Sequence, residues 1–138
     1  MKNKNYVSKE YHKTNHLVYS CRYHVIFCPK YRRRVLIDGK DVRLKEIFAE
    51  TAVRHGFEIH EMEVMPDHVH LIINCNPRYG VMQCVKDLKR ESASIMRKEF
   101  PDLKSRLPCM WTRSVFISTV GSVSLEVVKQ YIKNQKGV

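Results

Sequence analysis

The chain is short of acidic residues: 14 Asp and Glu stand against 25 Lys and Arg, for a formal net charge of +11. A basic excess of this size draws polyanions, and nucleic acid is the commonest of them. Long apolar runs are also missing. No hydrophobic stretch approaches the roughly 20 residues that a membrane span requires, and Met1-Lys2-Asn3-Lys4-Asn5 lacks the apolar segment of a signal peptide. A cytoplasmic protein without membrane attachment is therefore expected. The five cysteines, Cys21, Cys28, Cys75, Cys84 and Cys109, form no C-x-x-C pair. That excludes a zinc knuckle and a dithiol redox motif, and leaves reduced, mostly buried thiols as the expectation. No repeat, low-complexity tract or second-domain boundary interrupts the 138 residues, which fit one domain able to bury a core.

Against these absences one stretch stands out, Val64-Met65-Pro66-Asp67-His68-Val69-His70-Leu71-Ile72-Ile73. Met65-Pro66-Asp67-His68 has the chemistry of a type I turn, with Pro at the second position and Asp at the third. Val69, Leu71 and Ile73 then alternate with His68, His70 and Ile72, which predicts a strand. Successive strand side chains face opposite ways, so both histidines share one face while the apolar set buries the other. Two imidazoles one pleat apart can close on a single metal ion. An isolated His-x-His is nonetheless more often structural. No glutamate follows within Leu71-Ile72-Ile73-Asn74, as a cupin would need, and Ile72 stands where a histidine-triad hydrolase would place a third histidine.

In chain order, residues 1–16 read as a loose basic arm. Leu17 to Phe27 alternates, with Leu17, Tyr19, Cys21, Tyr23, Val25 and Phe27 on one face and Ser20, Arg22 and His24 on the other. Lys30-Tyr31-Arg32-Arg33-Arg34 follows, a basic cluster with one aromatic that suits phosphate contacts and base stacking, or equally a solvated loop. Asp41 can cap a helix carrying Leu44, Ile47, Phe48, Thr51, Ala52 and His55 at helical spacing, closed by Gly56. Phe57 to Val64 reads as the second strand. A second long helix presents Val81, Val85, Leu88, Ser92 and Ile95 inward, with Pro101 past its end. On its other side Lys86, Lys89, Arg90 and Arg97 lie close enough to hold one anion, although a solvated helix face is the commoner meaning of such a stripe. Residues 102–111 read as a loop, Arg113 to Val120 as a fourth strand, and Gly121-Ser122-Val123-Ser124 as a joint. Ser124 can cap a last helix from Leu125, where Tyr131 and Gln135 stand one turn apart.

The order β-α-β-β-α-β predicts an α+β, ferredoxin-like (RRM-like) antiparallel sheet with an added C-terminal helix. In that fold both helices cover one face of the sheet. The first and third strands lie side by side at its centre, so Arg22, His24, His68 and His70 would share the open face, where RNA-recognition domains of this architecture carry stacking aromatics.

The Tyr23-His24 strand running into Lys30-Tyr31-Arg32, then Met65-Pro66-Asp67-His68-Val69-His70-Leu71, then Gln130-Tyr131-Ile132-Lys133-Asn134-Gln135, occur in that order over nearly the whole domain. Together they resemble the single-tyrosine HUH transposases of the insertion-sequence 200/605 (IS200-like) family. The resemblance implies a homodimer that cuts and rejoins single-stranded DNA at hairpin-marked element ends. It implies His68 and His70 as metal ligands, Gln135 as a third ligand and Tyr131 as the nucleophile on a catalytic helix within residues 122–138, serving the partner subunit's site in trans. Lys30, Tyr31, Arg32, Arg33, Arg34, Lys86, Lys89 and Arg90 are the candidate DNA contacts.

Two neutral imidazoles and an amide oxygen leave positions open for phosphate oxygens and suit Mg²⁺ or Mn²⁺. A tyrosine of pKa about 10 is only about a thousandth ionised at pH 7, a deficit of roughly 4 kcal/mol that a metal, Lys129, Lys133 or another base must offset. Two other functions compete. A non-catalytic single-stranded nucleic-acid-binding domain would need only the open sheet and basic clusters. A domesticated relative acting on repetitive chromosomal hairpins would be told apart by the repeats flanking its gene.

Overall fold

Alternation in residues 68–74 translates directly into structure. The computed structural model describes residues 12–13, 17–120 and 125–135. In it Val69, Leu71 and Ile73 are buried, while His68, His70 and Ile72 stand partly exposed on the opposite face of strand β5 (His68–Asn74). The full order is β1 (His12–Lys13), β2 (Val18–Tyr19), β3 (Arg22–Phe27), α1 (Lys40–His55), β4 (Glu58–Met65), β5, α2 (Val81–Glu99), α3 (Pro101–Arg106), β6 (Phe116–Thr119) and α4 (Leu125–Lys133). Strands β4-β5-β3-β6 form one antiparallel sheet, with β3 and β5 central and adjacent as the sequence predicts. This is the expected α+β, ferredoxin-like arrangement. No helix among the described residues is long and apolar enough to cross a membrane.

The core lies between the sheet and the α1–α2 layer, where Val25 and Phe27 meet Leu44, Phe48, Leu88 and Met96. Trp111, expected in a loop, is 6% exposed and completes this core. Its ring stands edge-on to Phe27 at 4.8 Å, and its indole N–H donates to the buried Ser92 hydroxyl at 3.0 Å. An apolar body with a satisfied polar tip is the form in which tryptophan can be buried.

Five boundaries differ from the sequence reading, and one of them is that α4 ends at Lys133, so that Gln135, expected on the helix, stands in the turn after it. The first strand is predicted from Leu17, but β3 begins at Arg22 and Val18–Tyr19 pairs instead with His12–Lys13. Its partner β5 ends at Asn74, and after the Cys75 N–H donates to the Cys21 carbonyl the Asn76-Pro77 turn leads the partner away. Gly39, not Asp41, occupies the N-cap of α1, with φ of 90°; Asp41 sits in the first turn, where its charge still suits the dipole. Pro101 opens α3 rather than ending α2 and leading into a loop, at the first helical position that proline favours. The last strand shrinks from 113–120 to Phe116–Thr119 because the Lys89 ammonium takes the Thr112 and Ser114 carbonyls at 2.8 and 3.0 Å. The predicted basic arm and the Gly121–Ser124 joint fall mostly or wholly outside the described residues.

Candidate active site

The two-residue Pro66-Asp67 turn joins β4 to β5 and places Asp67 beside the first histidine. His68 Nδ1–H donates to Asp67 Oδ1 at 2.9 Å, and the other carboxylate oxygen accepts from Arg32 Nε at 2.7 Å. Burial pushes the Asp67 carboxyl up, but the hydrogen bonds from His68 and Arg32 outweigh it and hold the group below the usual carboxylate range. With Nδ1 engaged, Nε2 is the nitrogen His68 can offer a metal. A carboxylate behind a histidine is also the pairing that orients metal-binding imidazoles.

His70 has a different neighbour. Register sets Ile26 opposite His70 and His24 opposite Ile72, so the two imidazoles lie diagonally across neighbouring strands. His24 Nδ1 and His70 Nε2 are 3.1 Å apart and share one proton, with the rings stacked at 5.3 Å. Burial and the neighbouring His70 lower the His24 pKa, which favours its neutral form. Glu63 Oε1 lies 3.6 Å from His70 Nδ1.

Helix α4 crosses this face and encloses a cavity of about 410 Å³. Glu63, Met65, His68 and His70 form its sheet wall, and Lys129 and Lys133 belong to its helix wall. Tyr131 does not line it. The tyrosine ring packs on Phe116 at 4.7 Å, and its buried hydroxyl completes no hydrogen bond. Burial raises the Tyr131 pKa, and the nearby Ser114 hydroxyl only tempers the rise. Gln135 is also turned away, its amide oxygen accepting from Ser114 Oγ at 2.9 Å. The structure thus brings His68 and His70 together and sets Tyr131 and Gln135 apart from them, beside β6. His68, and His70 once its bond with His24 yields a lone pair, fit a hard divalent ion. Gln135 could join them only by leaving Ser114. Among the described residues no three His, Cys, Asp or Glu side chains are placed to hold a metal.

The candidate DNA contacts divide in the same way. Tyr31 is 45% exposed, with Lys30 Nζ 5.1 Å and Arg33 5.8 Å from its ring centroid, and Arg34 is exposed beside them. That is a stacking surface flanked by cations. Arg32 is instead turned inward, to Asp67 and the end of α4. Lys86 is exposed, and Arg90 is held by Asp87 at 2.9 Å. Lys89 points inward over the Phe27 ring, and burial brings its pKa down to about 8. A lysine so placed cannot meet a phosphate from the helix surface, and the expected stripe breaks at that position. Asp67, Ser114 and Phe116 are site neighbours that sequence reasoning did not assign. Only Asp67 carried a signal, by standing next to His68 in a turn.

Comparison with known proteins assigns the chain to a family. The family described as "Transposase IS200 like" matches residues 17–135. The ISDra2 transposase TnpA of Deinococcus radiodurans is 39% identical over 120 residues, 86% of each chain. The transposase for insertion sequence element IS200 of Salmonella typhimurium is 30% identical over 122 residues, covering 87% of this chain and 80% of its own. A crystal structure of a Deinococcus radiodurans protein assigned as a transposase superposes with a TM-score of 0.83 at 37% identity, over 91% of this chain and 98% of the other. A REP-associated tyrosine transposase bound to a REP hairpin shares the fold, with a TM-score of 0.55 at 13% identity over 81% and 62% of the two chains. With its length matched almost end to end and its histidine hairpin and tyrosine helix in the expected order, the chain belongs to the IS200-like transposase family.

Proposed function

We propose that this chain cleaves and rejoins single-stranded DNA at hairpin-marked element ends through a 5′-phosphotyrosine intermediate on Tyr131. The observation that carries the reading is the cavity in which His68 and His70 face the helix that bears Tyr131. Mg²⁺ or Mn²⁺, held by His68, His70 and Gln135, would polarise the scissile phosphate and organise the leaving oxygen. Asp67 fixes the His68 tautomer, and Lys129 and Lys133 add positive charge where the phosphate would enter. The Tyr131 oxygen bonds to phosphorus as the bond to the 3′-oxygen breaks, and the phenol proton ends on that oxygen as a 3′-OH. Reversal by an incoming 3′-OH rejoins the strand and restores the tyrosine. The covalent link conserves the phosphodiester energy, so no ATP is needed.

Tyr131 cannot attack from its place beside Phe116 and Ser114. The active form we propose is a homodimer in which α4 leaves that berth and carries Tyr131 and Gln135 to the partner subunit's histidines. Incubating the protein with labelled single-stranded hairpin DNA and Mn²⁺ should trap a covalent adduct. An equal yield from Tyr131→Phe would refute the nucleophile assignment. Mixing His68→Ala with Tyr131→Phe should restore activity if sites are shared between subunits; no recovery would place the whole site in one chain.

The buried Tyr131 hydroxyl and the Gln135–Ser114 bond favour one second reading, a domain that binds single-stranded nucleic acid without cutting it. That reading predicts steeply salt-dependent binding that is indifferent to chelator and to His68→Ala.

A further inference from the structure

The basic run suggests Arg32 as a phosphate contact, yet its side chain is 13% exposed and its guanidinium is engaged on two sides. Nε donates to Asp67 Oδ2 at 2.7 Å. Nη1 donates to the Ile132 carbonyl at 2.7 Å and to the Lys133 carbonyl at 3.2 Å, across about a hundred residues of chain. Asp67 in turn accepts from His68 Nδ1 through its other oxygen. An unbroken series of hydrogen bonds therefore runs from the last turn of α4, through Arg32 and Asp67, to His68. We infer that Arg32 is a positioning residue that couples the docking of the Tyr131 helix to the orientation of His68.

The chain makes this contact at a local cost. Tyr31 and Arg32 are consecutive residues with positive φ, 61° and 51°, a backbone region unfavourable for side chains carrying a Cβ. The reversal points Tyr31 outward and Arg32 inward. The segment is pinned on both sides, by Lys30 N–H on the Met110 carbonyl and by Leu36 N–H on the Pro66 carbonyl, each at 3.0 Å. The second of these bonds ties it to the turn that carries Asp67. The guanidinium suits the task because its flat, fixed fork can serve a carboxylate and a pair of carbonyls together, as a lysine's single ammonium cannot. The carbonyls at a helix C-terminus carry partial negative charge and have lone pairs left for a cation, the Ile132 carbonyl also accepting the Gln135 N–H at 3.1 Å. A nine-residue helix is too short to hold its form alone, so what anchors its last turn governs whether it stays docked. At the other end, the bond from His68 to Asp67 sets which imidazole nitrogen is available to a ligand.

The metal arm of this inference rests on the proposed function, while the helix arm does not. The test uses the full chain without DNA and reads hydrogen exchange over residues 125–135 together with Mn²⁺ affinity. Arg32→Ala and Arg32→Lys should each speed exchange over 125–135 about tenfold or more and weaken Mn²⁺ binding roughly tenfold, as loss of a supporting partner does. The isosteric Asp67→Asn, whose hydrogen bonds go to Arg32 and His68, should move both readouts together. Exchange over 125–135 that stays at the wild-type rate in the Arg32 variants would overturn the tether. Weaker Mn²⁺ binding in Asp67→Asn with unchanged α4 exchange would overturn the coupling. If the wild-type protein bound no Mn²⁺, the metal reading and the metal arm would fall together, and the exchange measurements would still decide the tether.

Discussion

The seam between α1 and α2 and the open face beneath α4 both hold polar groups, but only the seam has them fully partnered. In the seam, Glu91 meets His55 at 2.6 Å, Thr51 at 2.9 Å and Arg54 as well. Asp87, 2% exposed, accepts from Tyr79, Arg90 and Gln83. On the open side the accounts differ. Among the described residues three buried polar atoms complete no hydrogen bond: Asn74 Nδ2, the Ser118 hydroxyl and the Tyr131 hydroxyl. Register puts Asn74 opposite Arg22 and Ser118 opposite His24, so both belong to the histidine face. An unsatisfied buried polar group costs about 1–3 kcal/mol. The seam has the finish of a structural joint, and the open face fits the proposal that its cover, α4, moves.

The largest test of this contrast is Tyr131→Phe. It should cut covalent-adduct formation roughly a thousandfold or more, yet leave thermal stability unchanged or slightly raised, because the hydroxyl it removes completes no hydrogen bond. A clear loss of melting temperature would show that the tyrosine is structural. Next comes Asp87→Ala, which removes the buried acceptor of Tyr79, Gln83 and the exposed Arg90 and should cost about 1–3 kcal/mol in chemical denaturation, with cleavage per folded molecule retained. Tyr31→Ala, on the exposed basic turn, should weaken single-stranded DNA binding by about 1–3 kcal/mol through lost stacking. Its salt dependence should not change, since no phosphate contact is lost. The smallest effect concerns pH. Burial pushes Glu91 up, but hydrogen bonds from His55, Arg54 and Thr51 outweigh it and bring its pKa down to about 2 from 4.5. The folded pKa is depressed, so the stabilisation is present above about pH 4.5 and is lost as pH falls toward 2. With partial exposure screening it, the contribution is about 1–2 kcal/mol. The stability difference between the wild type and Glu91→Gln should shrink across that window; a constant difference would break the assignment.

What the sequence made legible was what period and order encode. Alternation placed Val69, Leu71 and Ile73 in the core and the histidines on the far face, and the order of elements put β3 next to β5. Facts set by partners far along the chain could not be read. Lys89 sits at the same helical spacing as Lys86 and Arg90, yet the Thr112 and Ser114 carbonyls draw it inward. Arg32 looks identical to Arg33 and Arg34 in a basic run, and only the left-handed backbone at residues 31 and 32 separates it from them. Trp111 lay in a stretch without periodicity, where a single large side chain reaching Ser92 leaves no pattern. Tyr131 lies on α4 as read, but the helix ends at Lys133 and Gln135 stands in the turn beyond it, and period does not reveal which neighbours either would meet.

The hairpin of β4 and β5 also bears on the order in which the molecule is made. Its strands are joined by two residues, so their pairing closes almost no loop, whereas the Arg32–Ile132 contact must close about a hundred residues. A nascent chain emerging from the ribosome therefore has its histidine hairpin in hand while the segment carrying Tyr131 is still being synthesised. On the proposed chemistry, the growing chain carries its candidate metal-binding histidines before it carries its candidate nucleophile. A transposase made in this order gains the residue proposed to cut DNA last, so under the proposed function its incomplete forms would bind without cleaving.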